Sequence, residues 1–259
     1  MIETNTAEVA RLLRSAQQTG TRVPRTAAPG LDASAGHAVQ TAGRALRVGD
    51  GDRQVGWKVG LTTAAAQATV SATGPVSGYL VGSTITAVAP TFDATALHAP
   101  RVEVEVAFVL AAGLEGPDVT PAEVLAATAY LAPALEIVDS RWEGGPDGVG
   151  ALLADDVSAA AVVVGERVDP DAVVLPELQV SGRVGAAEVS GGASNVFGDP
   201  ARAVAWLCAD LHSRGESLRA GDLVLSGALC GPTPVRAGDT VEADLAALGR
   251  LRTEFVAAG

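Results

Sequence analysis

In the run Val102-Glu103-Val104-Glu105-Val106-Ala107-Phe108-Val109-Leu110, two glutamates alternate with valines inside a stretch otherwise suited to burial. Side chains at i and i+2 of a strand share a face, so Glu103 and Glu105 project side by side. A third acid, Glu136, stands in a second β-type run, Leu135-Glu136-Ile137-Val138. The alternation also reads as a half-exposed antiparallel strand with its glutamates in water. If the run is buried instead, like charges must be neutralised, and a divalent cation that prefers oxygen ligands does this with three carboxylates. Such a set leaves coordination positions open on Mg²⁺ or Mn²⁺, which points to an enzyme.

The other local signals frame that pair of runs. Asn5-Thr6-Ala7-Glu8 starts a helix whose Val9, Leu12 and Leu13 repeat at helical spacing up to Gly20. A loop carrying Pro24, Pro29 and Gly30 precedes a second helix over about 33–46. Val55 to Leu61 is strand-like, which puts Lys58 mid-strand, and Thr62-Thr63 caps a short helix. Short β runs follow over 79–110, divided by Gly82, Pro90 and Pro100. Thr120-Pro121-Ala122-Glu123 is a capping box with proline at the first helical position, predicting a helix to about Tyr130 that Pro133 ends. Asp199-Pro200 launches a helix that stops at Gly215, and strands broken by Gly231-Pro232 and Gly238-Asp239 complete the chain. One catalytic domain over 1–259 is expected, with a helical region at 1–50 and a β-rich metal-binding core at 51–259.

Thirty acids against eighteen bases give a net charge of −12, which repels nucleic acid and anionic membranes. No basic segment followed by an apolar stretch opens the chain, so a cytoplasmic location is expected. Cys208 and Cys230 are too few and too far apart for a disulfide framework or zinc site and read as plain thiols. His37, His98 and His212 show no ligand spacing and read as surface or packing residues.

Six segments in order resemble the hydratase/decarboxylase branch of the fumarylacetoacetate hydrolase superfamily: Gly56-Trp57-Lys58-Val59-Gly60-Leu61-Thr62, Pro100 to Glu105, Pro133 to Arg141, Gly215 to Asp222, Leu225-Ser226-Gly227, and Pro234 to Thr240. The resemblance covers nearly the whole chain. It implies an α+β fold, with a mixed β-barrel or β-roll core and a small helical N-terminal region. It also implies Mg²⁺ or Mn²⁺ on Glu103, Glu105 and Glu136, and a 2-oxo or 2-hydroxy-dienoic acid handled through a metal-bound enolate. Lys58 is then the cation facing the substrate or a proton-transfer group, and Ser158 lines the pocket. Asp139 and Arg141 brace the site or form a structural salt bridge, and Trp57 and Trp142 flank it. A homo-oligomer, association with a related hydratase or decarboxylase, and a role in aromatic catabolism are implied as well.

Where hydratases of the branch carry an acid in a Pro-Asp-aromatic-Gly segment, this chain has Pro75-Val76-Ser77-Gly78. Val76, with Ser140-Arg141-Trp142-Glu143, is similar to the decarboxylases, which act on a 2-oxo-enedioate of the 4-oxalocrotonate kind. Hydration of a 2-hydroxypenta-2,4-dienoate is the alternative. Asp199, Ser194, Asn195 and Cys230 depart from both patterns and leave open a recruited keto-enol reaction such as dehydration, isomerisation or retro-aldol cleavage. A non-catalytic partner subunit is the reading from another class.

Overall fold

The computed structural model describes residues 5–87, 91–95 and 97–257. Two helices come first, each begun by a side-chain cap. Asn5 accepts from the Glu8 N–H to start α1 (Thr6–Thr19), which closes at Gly20 with φ 68°, and Asp32 caps α2 (Ala33–Gly49). Val9, Leu13, Val39 and Trp142 form the centre of their own small apolar cluster.

Then follow β1 (Gln54–Gly60), α3 (Ala64–Ala68), capped by Thr63, and β2 (Val76–Val81). The short β3 (Ile85–Ala87) and β4 (Thr91–Asp93) precede the long β5 (Arg101–Leu110). The expected turn at Pro90 lies outside the described residues. Next come α4 (Pro121–Ala127), β6 (Thr128–Val138), α5 (Val149–Ala154) and β7 (Ala159–Val164). The chain continues through β8 (Gln179–Val184), β9 (Ala187–Gly192), α6 (Pro200–Ser213), β10 (Leu223–Leu225), β11 (Thr233–Pro234), β12 (Thr240–Asp244) and β13 (Arg250–Val256).

The larger sheet runs in the order β2-β1-β10-β5-β6-β7-β3, with β11 also paired to β5, and curls into a half-barrel; the second runs β4-β13-β12-β8-β9. Both are mixed, since β1/β10, β3/β7 and β4/β13 are parallel and the other pairs antiparallel. Gly56 lets β1 and β10 approach, because a Cβ there would stand 1.8 Å from the Leu223 carbonyl oxygen.

The capping box at Thr120 and Glu123 forms as its sequence predicts, but the helix ends at Ala127 rather than near Tyr130. From Thr128 the chain is strand, and Pro133 sits inside β6 instead of ending a helix. Its carbonyl accepts from Gly165 N on the β7 side, where the ladder begins only at Ala134. The missing proline N–H therefore falls at the edge of that pairing, where a proline is tolerated.

Alternation along the central strands sorts side chains to two faces. Val104, Val106 and Phe108 of β5, Leu135 and Ile137 of β6, and Trp57 and Val59 of β1 join the main core with Val204, Leu207 and Leu211 of α6. On the other face Ala107, Ala132, Ala134, Val162 and Leu225 make a floor of mostly small residues. Lys58, Glu103, Glu105 and Glu136 share that second face by strand parity.

Candidate active site

The β5/β6 register sets Glu103 directly opposite Glu136, and Glu105 follows two residues deeper along β5. Oxygens of all three carboxylates lie within 4.8 Å of one another. Glu105 and Glu136 are 1% and 0% exposed, and Glu103 is partly exposed. The solvent-facing reading of the Val-Glu alternation therefore does not describe this strand, because its acidic face is covered as well as its apolar one.

Lys58, 2% exposed, reaches into the cluster from β1. Its Nζ lies 2.5 Å from Glu136 Oε1 and donates to the Val157 carbonyl at 3.1 Å. Space for its stem comes from Gly78 across the β1/β2 ladder, where a Cβ would stand 3.0 Å from Lys58 Cγ. Gly227, at φ 107°, aims its N–H at Glu105 Oε2 at 2.7 Å. The buried Glu136 Oε2 has no hydrogen bond among the described residues.

Burial and mutual repulsion raise the acids. Burial lifts Glu103 to about 7, with Glu136 adding to it and Lys58 and Arg101 opposing. Glu105 is pushed well above the usual carboxylate range, by burial first and then by Glu136 and Glu103. Burial also raises Glu136 against the pull of Lys58. On Lys58 burial acts downward, yet Glu136 and the other two acids outweigh it and the ammonium is favoured. Three carboxylates against one buried ammonium leave an excess of two negative charges, which fits an oxygen-ligated divalent cation.

A left-handed turn that no glycine marks lies beside the cluster. Asp156, Val157 and Ser158 have φ of 49°, 52° and 59°, a conformation that costs L-residues energy and is kept only where the surroundings hold it. Asp156 Oδ1 accepts from Tyr79 N at 2.9 Å and Gln40 Nε2 at 3.0 Å. Burial raises this carboxyl to about 7, against those two donors and Arg141. Next to it Asp155 pairs with Arg141 at 2.5 Å, and Arg141 also donates to the Asp139 and Ala159 carbonyls. Asp139 in turn donates its N–H to Ser158 O and accepts from His98 and Ala99 N–H groups. The turn directs the Val157 carbonyl at Lys58 and puts Ser158 on the cavity wall. Ser158 is singled out by the sequence and lines the cavity, whereas no sequence signal marks Asp155 or Asp156.

The cavity has a volume of about 550 Å³, with Lys58, Glu103, Ser158 and Asp139 among its lining residues, whereas Glu105 and Glu136 lie behind that wall. Trp57 points to the opposite face of β1, under Arg44 and Arg214, and Trp142 is buried in the N-terminal cluster with Nε1 donating to Ala151 O. Neither indole lines the cavity. Val76 is buried one layer behind, packed with Val70, Leu152, Leu153 and Val157. Asp199 caps α6, Asn195 donates to the Leu229 carbonyl, and Cys230 is a buried free thiol, as is Cys208. No helix of the described residues is long and apolar enough to cross a membrane.

Residues 35–256 match the model of the fumarylacetoacetate (FAA) hydrolase C-terminal family. The chain is 34% identical over 252 residues to a 2-keto-4-pentenoate hydratase of Paraburkholderia xenovorans (strain LB400), covering 96% of this chain and 94% of that one. It is 32% identical over 211 residues to a 4-oxalocrotonate decarboxylase of Pseudomonas sp. (strain CF600), covering 80% and 79%. Among solved structures it is similar to 4-oxalocrotonate decarboxylase from Pseudomonas putida G7 complexed with magnesium and adipate, with TM-score 0.92, 26% identity and 99% of each chain covered.

Proposed function

The chain belongs to the fumarylacetoacetate hydrolase family, and from that premise we propose that it is a divalent-metal-dependent lyase that decarboxylates an unsaturated 2-oxo diacid. The buried cluster of Glu103, Glu105 and Glu136 with Lys58 at its edge carries this reading. These three glutamates would hold Mg²⁺ or Mn²⁺, which when bound supplies a Lewis acid to the carboxylate and 2-oxo oxygens of the substrate. The magnesium in the similar decarboxylase supports that choice.

Loss of CO₂ from such an acid leaves a bonding pair that moves through the conjugated chain toward the 2-oxo oxygen. The reaction needs an electron sink more than a strong base. Lys58 sets positive charge at the cavity floor, where the oxygen gains negative charge, and its ammonium is placed to return a proton to the enolate. Ser158 offers a hydroxyl on the same wall. Asp139 and the Arg141–Asp155 pair act as positioning residues, holding the turn that sets Ser158 and the Val157 carbonyl.

Val76 separates decarboxylation from hydration. It sits in an apolar cluster where a hydratase would need an acid, and Asp156, a buried acid outside the glutamate cluster, is held by Tyr79 and Gln40 and does not line the cavity. Hydration of a 2-hydroxypenta-2,4-dienoate is the second reading, favoured by the hydratase relative at 34% identity. A non-catalytic partner subunit has no use for three mutually repelling buried acids. On the same reading the enzyme is a cytoplasmic homo-oligomer of aromatic catabolism.

The test uses chelator-stripped protein with 2-oxohex-3-enedioate and, separately, 2-hydroxypenta-2,4-dienoate, with and without Mg²⁺ or Mn²⁺, following CO₂ and product mass. Metal-dependent CO₂ release is expected. Water addition to the dienoate alone would replace decarboxylation with hydration, and no turnover of either substrate would end both readings.

A further inference from the structure

Two arginines, Arg22 and Arg101, line the same cavity as Lys58 and Glu103. Arg101 opens β5, paired with Val138 on one side and Pro234 on the other. It shares strand parity with Glu103 and Glu105, so that face of β5 reads cation, acid, acid from the cavity mouth inward. Arg22 comes from the segment after α1, where Val23 N donates to Arg141 O and Glu143 N donates to Val23 O. Arg25 fixes the neighbouring rim by donating from Nε to Gly145 O at 2.7 Å and from Nη2 to Gly144 O. Gly144, Gly145 and Pro146 line the cavity as well.

Neither Arg22 nor Arg101 makes an ion pair or side-chain hydrogen bond with another described residue. Arg14, Arg44, Arg47, Arg141, Arg214, Arg250 and Arg252 pair with acids, and of the described arginines that do not, Arg22 and Arg101 are the two that line this cavity. Arg101 does feel Glu103 electrostatically, and Glu103 is the acid that reaches the cavity. In a chain of net charge −12, two unpaired guanidinium groups on the wall of one cavity are suited to a ligand that brings its own anion. Arg101 is set about 7 Å along the strand from Glu103 by the strand rise. That distance is comparable with the span of a six-carbon chain.

We propose that Arg22 and Arg101 are the residues of this chain that hold the distal carboxylate of the 2-oxo diacid. The inference rests on the 2-oxo diacid reading of the site and adds the residues that select for its far end. A guanidinium presents paired N–H donors that match a carboxylate, so the two groups clamp the far end while the 2-oxo end stays at Lys58 and the glutamates. A monoacid of equal length would leave both arginines facing an alkyl end.

Calorimetric titration of the Mg²⁺-loaded protein with 2-oxohexanedioate and with 2-oxohexanoate tests this without turnover. The wild type should bind the diacid about tenfold or more tightly than the monoacid, a difference typical of a charge-assisted contact. Arg22→Gln and Arg101→Gln should each lose most of that preference, read as the ratio of the two affinities, because any effect of Arg101 through Glu103 acts on both acids alike. Equal affinity for the two acids in the wild type, or a preference that survives in the doubly substituted protein, would overturn the subsite. If neither acid binds the loaded protein, the 2-oxo acid reading falls and this inference falls with it.

Discussion

Lys58 carries its charge at 2% exposure because three acids surround it and Glu136 lies 2.5 Å away. Its competition with a cation for Glu136 gives a clear expectation. Lys58→Ala should lower turnover by about 100-fold or more, in the range for loss of a proton-transfer group. Mg²⁺ affinity, read by calorimetry, should hold or rise, and an equal loss of both would reduce Lys58 to a structural partner. Asp156 is the second residue with a definite sign. Its folded pKa of about 7 lies above its ordinary 3.8, so between those values the native state holds a proton that the unfolded chain has released. The stability from this group is complete below pH 3.8 and is lost as pH rises through about 7. Asp156→Asn keeps an acceptor for Tyr79 and Gln40 without the charge. Its urea midpoint relative to wild type should therefore improve as pH rises from 4 to 7 and then level off, and a constant difference would show that the carboxyl does not titrate there.

Among the elements, β5 is the most legible in the sequence, since its alternation puts Glu103 and Glu105 on one face whichever strand pairs with it. The capped helix starts at Asn5, Thr120 and Asp199 were equally legible, because a cap acts within four residues of chain. The end of α4 was not, because Thr128 to Tyr130 can continue a helix or start a strand and pairing with β5 decides for the strand. The β8/β9 hairpin and β7 left no clear mark either. At β2, Val76 and Lys58 share a face across the β1 ladder, yet Val76 is enclosed by Val70, Leu152 and Val157. Val76→Asp puts a carboxyl in that apolar layer, so the protein should lose about 2 kcal/mol or more of stability by urea unfolding. If this position divides the two reactions, the variant should also form hydrated product by mass; an unchanged product would remove the reason for preferring decarboxylation.

At the scale of the whole molecule, the carboxylate cluster ties two neighbouring strands, β5 and β6, to metal binding. A cation that binds only the folded arrangement adds about 2.7 kcal/mol of stability at one hundred times its Kd. Thermal unfolding of chelator-stripped protein should accordingly move upward on addition of Mg²⁺ or Mn²⁺. Glu136→Gln should remove that response while the apo protein still folds, since it also relieves one buried charge. A response equal to wild type would take the metal away from this cluster.

The sequence by itself determined the local devices and the chemical inventory: the caps, the strand parity of Glu103 and Glu105, the position of Lys58 in β1 and the missing acid at Val76. It did so because these depend on neighbours a few residues apart. The tertiary structure alone decided that the acidic face of β5 is buried, that Trp57 and Trp142 turn from the cavity, and that Asp156 to Ser158 is held in a left-handed turn. It also brought Arg22 and Arg101 to one cavity from segments far apart in the chain. Burial and juxtaposition are set by which surfaces the folded layers cover, and a periodic pattern of side chains is compatible with a face in water or a face against protein until the packing is known.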